Sequence, residues 1–260
     1  SVPYSSAAVS KPTFIDIEDA SWMWGILITD KDRVSTTGIC NFPSHMGSLN
    51  YGYASVGGWR RISPKLYNQI PESDVRKGWF LDDTGVSVNL PAAAQAYITK
   101  KGAPVYTQVK YGPMNDEWGS NNNATDVILM RVEEMYLIKA EAQAMNNDVS
   151  GGVNTLNSFV NTYRDPSYKC TATTGEAVQE AVWHQRRIEF WGEGLAYFDI
   201  MRLNKGVNRL GCGFPKTAVF NIAAGDPVQI YSIPNKEVQY NPLLENNPLV
   251  SAPTPIPDEE

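Results

Sequence analysis

The chain of 260 residues carries a formal net charge of -6 and has a sequence pI of about 5.1. This acidic balance argues against nucleic acid or an anionic membrane surface as a partner, and it leaves a neutral ligand open. Apolar residues make up 42% of the chain and charged residues 19%, which is typical of a folded protein with a sizeable core.

The residues that most often bind metals or form disulfides are few and widely spaced. Cys40, Cys170 and Cys212 have neither the spacing of a disulfide framework nor that of a metal site, and whether two of them pair stays open. His45 and His184 lie far apart, without an HxxxH or HExxH pattern. No run of 18 apolar residues is present. We therefore expect no cofactor, no metal ion and no membrane-spanning segment.

Residues 1–125 are rich in Gly, Pro, Asn and Ser, which predicts a loop-rich, partly β region. ASWMWGILITD (Ala20–Asp30) alternates and predicts a strand. VYTQVKYG (Val105–Gly112) predicts a second strand in the same way. One face of the first strand is predicted to hold Trp22, Trp24, Ile26 and Ile28.

Two further segments of this region predict irregular structure. The stretch from Arg33 to Gly58 is long, Gly-rich and aromatic, which predicts a functional loop or a chain of turns. SPKLYNQIPESDVRKGWFL (Ser63–Leu81) predicts a short helix that stops at Pro71, followed by a second short helix or turn.

Residues 126–205 predict a helical region. The first helix is expected to start at Thr125 or Asp126 as N-cap and to run to Asn146 and Asn147, since no Gly or Pro interrupts it. Further helices are predicted at Gly151–Arg164, at Thr174–Trp191 and after the break at Gly192 and Gly194. The buried stripes are predicted at Val132, Met135, Tyr136, Ala140 and Met145 in the first helix, Val153, Leu156, Phe159 and Val160 in the second, and Ala177, Ala181, Ile188 and Trp191 in the third.

These helices form two predicted helix–turn–helix pairs. The first pair spans about 34 residues, Arg131 to Arg164, a length that resembles a tetratricopeptide unit. Residues 206–248 lose periodicity and form an irregular closing segment, and residues 249–260 are expected to be a mobile acidic tail.

The stretch RRIEFWGEGLAYFDIMR (Arg186–Arg202) places Glu189 and Glu193 on one helix face. Two carboxylates beside aromatic rings could serve a glycoside hydrolase, provided that one has a raised pKa. Nearby arginines instead predict ion pairing, which keeps a carboxylate ionised. We favour a structural charged clasp, a set of ion pairs between helices, over a catalytic site. We therefore expect that the protein is not an enzyme. Its predicted members are Arg131, Glu134, Arg186, Arg187, Glu189 and Glu193.

Three motifs in order carry a resemblance to a known family. LMRVEEMYLIKAEA (Leu129–Ala142), QRRIEFWGEGLAYFDIMR (Gln185–Arg202) and YSIPNKEVQYNPLLENNP (Tyr231–Pro248) resemble the three marker segments of the SusD/RagB family. LYNQIPESDVRKGWF (Leu66–Phe80) is similar to a further D.R segment of that family. Departures from the family pattern are Gln185 for Glu, Ala196 for Arg and Lys139 for an aromatic residue.

The resemblance implies a fold and a role. It implies a mainly α domain over residues 1–248, with tetratricopeptide-like helix pairs and a loop-rich, partly β layer. Family members are about twice this length, so we expect a C-terminal portion, whose opening SVPYSSAAVSKPTFID reads as part of a chain already under way. SusD-like proteins are outer-membrane, surface-exposed lipoproteins of Bacteroidetes that capture glycans, or in some cases peptides, for a SusC-like TonB-dependent transporter. The lipid anchor is expected outside this chain.

The family's ligand-binding residues carry no motif, so the candidates are argued from this sequence. GSLNYGYASVGGWRR (Gly47–Arg61) places aromatic rings among Gly, Ser and Asn, where they can offer a flat platform with a polar handle. The alternative is that these rings pin the loop to its scaffold, and a peptide-binding or protein-interaction role of the same family stays open. The candidate ligand-binding residues are Asn50, Tyr51, Tyr53, Trp59, Arg60 and, more weakly, Trp118.

Overall fold

The structure, a computed structural model, describes residues 1–36 and 41–256. Residues 37–40, which include Cys40 and part of the predicted loop, and residues 257–260 of the predicted tail lie outside the described residues. The chain divides into two compact units, Ser1–Glu193 and Gly194–Glu260.

The first half of unit 1 is built from short elements joined by loops, as its Gly and Pro content predicts. A carboxylate, hydroxyl or amide oxygen caps several of them: Asn41 accepts a hydrogen bond from the Ser44 amide at 2.8 Å. The elements are α1 (Ser6–Val9), β1 (Trp22–Ile26), α2 (Phe42–Met46), α3 (Pro64–Tyr67) and α4 (Ala92–Lys100), with 3-10 turns at Arg33–Thr36, Ala54–Val56, Val75–Trp79 and Met114–Asp116.

The second half of unit 1 is a helical layer. Asp148 caps α6 at the Gly151 amide, and Thr174 caps α7 at the Ala177 amide. α5 packs against both α6 and α7. The elements are β2 (Val127–Arg131), α5 (Val132–Met145), α6 (Val149–Tyr163) and α7 (Gly175–Glu189).

An aromatic core joins the loops of unit 1 to this layer. Phe14 lies at its centre and meets the rings of Tyr4, Trp79 and Tyr111 edge-on, with centroids 4.8 to 6.3 Å apart. Ile188 of α7 is buried in the same cluster. The loop-rich half therefore has a well-packed interior despite its lack of long elements.

Unit 2 contains α8 (Ala196–Arg202), β3 (Val207–Asn208), β4 (Asn221–Ile222) and α9 (Asn235–Tyr240). β3 and β4 pair antiparallel. Two 3-10 turns complete it, at Lys216–Ala218 and Pro227–Gln229. Among the described residues of both units, no helix has the length and apolarity to cross a bilayer.

The predicted strand at Ala20–Asp30 is shorter and more irregular than expected. β1 pairs antiparallel with β2, but the register shifts between Trp22 and Trp24 and again between Trp24 and Gly25. These irregularities break the two-residue alternation. Trp22 is buried, whereas Trp24 is 64% and Ile26 is 47% exposed, so residues predicted to share one face of the strand are not buried together.

The predicted start of the first long helix was wrong by several residues. Residues 127–131 form β2 instead, because their apolar side chains pair with β1, and the helix begins at Val132. Asp126 is not a helix cap, since its carboxylate accepts hydrogen bonds from the amides of Ile17 and Ile28, both at 2.8 Å.

The buried faces of two helices also differ from the prediction. In α5 the buried face carries Leu137, Ala140 and Ala144, while Met145 is 51% exposed. In α7 it carries Val178 and Val182 rather than their neighbours Ala177 and Ala181, a rotation of one residue. In α7 the valine side chains take the interior because they bury more apolar area than alanine side chains.

Val105–Gly112 is not a strand. Val105 and Tyr106 lie in a turn, in which Tyr106 has a φ of 65°. Thr107, Gln108 and Tyr111 each make one isolated bridge, to Arg61, Phe80 and Thr13 respectively. Each bridge is to a different segment, so no ladder forms. The mainly α fold with a loop-rich, partly β layer is nevertheless confirmed.

Candidate functional site

The segment predicted to bind ligand, residues 47–61, and the preceding residues 41–46 are together called the tyrosine loop below. Its backbone is fixed at several points: the Tyr51 amide donates to the Ser120 carbonyl at 2.8 Å, and the Gly119 amide donates to the Leu49 carbonyl at 2.8 Å. Gly52 lies against Ser44, where a Cβ would come within 2.6 Å of the Ser44 hydroxyl oxygen. The loop is therefore tied to a second segment and tightly turned.

Tyr51 lies on the surface of this loop, with 48% of its area exposed. The ammonium nitrogen of Lys101, just after α4, lies 5.7 Å from the centroid of the Tyr51 ring and 5.7 Å from that of Tyr97. Tyr97 in turn donates its hydroxyl hydrogen to the Asn50 carbonyl at 3.3 Å. Tyr51 is thus a surface ring with a cation and a second aromatic ring beside it.

Tyr53 is the second surface ring, with 44% of its area exposed. The His45 ring stacks on it at a centroid distance of 4.9 Å, and the Arg60 guanidinium lies 5.6 Å from its centroid. Arg60 and His45 also approach each other, at 3.4 Å between Nη2 and Nδ1. Tyr53 is therefore held in one orientation by its neighbours.

The other predicted ligand-binding residues are less accessible. Asn50 is buried, and its side-chain amide donates to the Asn123 side chain, so it stabilises the loop from inside. Trp59 and Trp118 are half-buried against a shared apolar cluster that includes Leu49 and Ile98. For these two rings the structure matches the alternative, in which aromatic residues pin the loop to its scaffold.

Glu189 lies at the centre of a buried charge cluster in unit 1. Its carboxylate is fully buried and accepts hydrogen bonds from three arginines: Arg131 at 2.6 Å, Arg164 at 2.7 and 2.8 Å, and Arg76 at 3.1 Å. Arg76 also forms a pair with Asp74. The members of the cluster are Asp74, Arg76, Lys110, Arg131, Glu133, Arg164, Glu189 and Glu193.

Glu193 belongs to the same cluster through a bidentate contact. Arg131 donates to its two oxygens at 2.8 and 2.9 Å, and the ammonium group of Lys110 donates to it at 2.5 Å. The remaining residues predicted for the charged clasp lie apart from this centre: Arg186 pairs with Glu134 at 3.0 Å, and Arg187 lies over the Trp183 ring.

The electrostatics of the two glutamates do not suit acid catalysis. Burial acts to raise the pKa of Glu189, but Arg164, Arg131 and Arg76 outweigh it and hold that pKa well below its usual value. The pKa of Glu193 is likewise lowered, because Arg131 and Lys110 outweigh its burial. Neither carboxylic acid holds a proton at neutral pH, which a glycosidase acid must do.

Other possible sites are also limited. Cys170 is buried and Cys212 is half-exposed, and both are free thiols. Within residues 1–36 and 41–256, no group of three or more His, Cys, Asp or Glu is placed to hold a metal ion.

Comparison with sequence models of protein families shows which family this chain belongs to. The sequence model of the SusD family matches residues 71–249, more than half of the chain. The chain belongs to the SusD family. A comparison with curated protein sequences gives no match.

Solved structures of SusD-family proteins share this fold. A SusD superfamily protein from Bacteroides thetaiotaomicron has 22% identity and a TM-score of 0.70, over 95% of this chain and 52% of that chain. One from Bacteroides vulgatus has 21% identity and a TM-score of 0.65, over 89% and 46%. A SusD-like carbohydrate binding protein from Bacteroides vulgatus has 22% identity and a TM-score of 0.60, over 91% and 42%. The chain thus spans about half the length of these SusD-family relatives.

Sequence reasoning missed part of both sites in this SusD-family chain. Arg76 completes the charge cluster, and its signal was present in the D.R segment of the family resemblance. Arg164 carried no signal, because its position in the cluster depends on how α6 ends. Tyr97 and Lys101 carried none either, since only the fold brings α4 beside the tyrosine loop.

Proposed function

We propose that this chain binds glycans on the surface of the tyrosine loop and that it does so without catalysis. The observation that carries the proposal is the pair of exposed tyrosine rings, Tyr51 and Tyr53, in a loop whose backbone is held by neighbouring segments. A sugar ring presents apolar C–H faces and polar edges, and a tyrosine offers a matching apolar face with a hydroxyl.

A fixed ring is worth more to a binding site than a mobile one. His45 and Arg60 hold Tyr53, and Lys101 and Tyr97 flank Tyr51. Little side-chain entropy is therefore lost when a ligand stacks on these rings. Trp59, Trp118 and Asn50 contribute by keeping the loop in place.

The biological setting of the proposal follows from the family. We propose that the chain is part of a surface-exposed lipoprotein of the outer membrane that passes glycan to a SusC-like TonB-dependent transporter. One relative of this fold is described as a SusD-like carbohydrate binding protein, which supports a glycan as the ligand. The lowered pKa values of Glu189 and Glu193 support a role without hydrolysis.

The test is affinity electrophoresis of the 260-residue chain against a panel of polysaccharides, with Tyr51→Ala and Tyr53→Ala beside the wild type. Loss of a stacking ring is expected to cost about 2 kcal/mol, or about thirtyfold in Kd. Trp24→Ala is the control, because it removes an exposed ring of β1, outside the tyrosine loop.

The outcomes separate the function classes. Retardation by at least one glycan that both tyrosine variants lose supports the proposal. No retardation by any glycan would favour a peptide-binding or protein-interaction scaffold instead. New reducing ends after incubation with the polysaccharides would overturn the non-catalytic role.

A further inference from the structure

Acidic residues are distributed unevenly along this acidic chain. The chain has 28 Asp and Glu residues, yet residues 33–71 contain none and residues 84–115 contain none. The first of these segments includes the whole tyrosine loop, and the second includes α4 and Lys101. The tyrosine loop and the segment that supplies Lys101 are therefore free of carboxylate side chains.

Each exposed ring of the tyrosine loop has a cation beside it. Lys101 lies 5.7 Å from the Tyr51 centroid and is exposed. Arg60 lies 5.6 Å from the Tyr53 centroid, next to His45. In the part of the chain that the structure describes, neither Lys101 nor Arg60 forms an ion pair with a carboxylate. Their charges are thus available to a ligand.

Several acidic residues of unit 1 line other depressions. Asp16, Asp30 and Asp116 line a cleft of about 590 Å³, and Asp82 and Asp83 line another of about 450 Å³. Both clefts would repel an anionic ligand, whereas the tyrosine loop would attract one. Glu117, which is exposed and precedes Trp118, is the acidic residue nearest in sequence to Ser120, a partner of the loop.

We infer that the tyrosine loop binds an acidic glycan, in which sugars that stack on Tyr51 and Tyr53 carry carboxylate groups that Lys101 and Arg60 contact. This inference rests on the proposed glycan-binding function and narrows its ligand class. The overall charge of -6 disfavours anions at long range, but it is screened beyond about 10 Å in 0.1 M salt, so the local cations decide binding.

The test compares polysaccharides that differ only in charge. Polygalacturonate, alginate and hyaluronan are each measured beside their carboxyl-reduced forms, in which the same sugars have lost the carboxylate. At least one charged member is expected to bind about fivefold or more tighter than its reduced form. Raising the salt concentration from 0.05 to 0.5 M is expected to remove this preference. The affinity for chondroitin sulfate is compared with that for its desulfated form, to test whether sulfate can replace carboxylate in the ligand.

Variants that each remove one positive charge show which residues cause the preference for the charged glycan. Lys101→Gln and Arg60→Gln are each expected to weaken binding of the charged glycan about two- to fivefold more than they weaken binding of its reduced form. Lys139→Gln is the control, because it removes one exposed positive charge from α5 and alters the net charge equally. It is expected to change neither affinity by as much as twofold.

The outcomes separate failure of the acidic-glycan inference from failure of the proposed glycan-binding function. Equal or tighter binding of every reduced form, or a salt-independent preference in the wild type, overturns the acidic ligand class and leaves glycan binding in place. A preference for chondroitin sulfate alone overturns the choice of carboxylate. Binding of no polysaccharide, charged or reduced, overturns both proposals. An equal loss in Lys101→Gln and Lys139→Gln overturns the assignment to the tyrosine loop.

Discussion

Glu189→Gln is the sharpest single test of the buried charge cluster. The substitution keeps the size of the side chain but removes its negative charge and replaces one acceptor oxygen with an NH₂ donor. Both oxygens of Glu189 accept hydrogen bonds from guanidinium groups, one from Arg131 and Arg164 and the other from Arg164 and Arg76. Either orientation of the glutamine amide therefore places a donor against a donor.

The magnitude follows from what remains buried. Removing one partner of a buried ion pair costs about 3 to 5 kcal/mol, because the opposite charge is left uncompensated. Glu133 and Glu193 still neutralise part of the arginine charge, so a value near the lower end is expected. At about 2 to 4 °C per kcal/mol for a unit of this size, the Tm falls by roughly 6 to 12 °C.

Urea denaturation and a thermal scan measure this loss, and affinity electrophoresis measures binding in the same preparation. Glu72→Gln is the control, because the Glu72 side chain is 89% exposed and its pair with Lys77 lies outside the cluster. It is expected to cost less than about 1 kcal/mol. A Glu189→Gln protein with unchanged Tm, or with intact stability and abolished glycan binding, would refute the structural role of Glu189.

Two further predictions address pH and the loop. The pKa values of Glu189 and Glu193 in the folded protein are lowered from 4.5, so these groups take up protons in the unfolded chain at a higher pH than in the folded one. The stability that the two ionised carboxylates contribute is therefore full above about pH 4.5 and is lost as the pH falls through their folded-state pKa values. Urea midpoints at pH 7, 5 and 3 check this, and a midpoint that rises towards pH 3 contradicts it. Gly52→Ala forces a Cβ to within 2.6 Å of the Ser44 hydroxyl, so a several-fold loss of glycan affinity with a Tm shift of only a few degrees is expected by the same two assays. Ala54→Gly, a change in the same loop that adds no atoms, is its control, and unchanged affinity in Gly52→Ala would show that the turn tolerates the methyl group.

The long helices could be predicted from sequence because their signals are local. Thr174 and Asp148 cap α7 and α6, and Gly192 and Gly194, both with positive φ, follow the end of α7. The family could also be recognised, since its motifs follow one another along the chain. These features depend on neighbours in sequence and not on the tertiary fold.

The errors arose where a distant segment decides the local structure. Val127–Arg131 continues a helical pattern, yet it forms β2 because β1 pairs with it. The exposure of Trp24 follows from the irregular register of that pairing. The sequence indicates the aromatic rings but not which of them are accessible, because burial of Trp59 and Trp118 depends on an apolar cluster to which α4, Leu81 and Val109 contribute.

The charge cluster also has a consequence for how unit 1 assembles. Arg76, Arg131 and Arg164 come from three segments far apart in sequence. The Glu189 carboxylate contacts all three. A partly folded form that lacks α7 would keep Asp74 and Glu133 as partners of these arginines but would lack the carboxylate that contacts all three, so burying the three guanidinium groups would leave part of their charge uncompensated. Neither the loop-rich half nor the α5–α6 pair can complete its interior before α7 arrives. Folding of unit 1 is therefore expected to be cooperative and slow to start, since its decisive contacts close long stretches of chain.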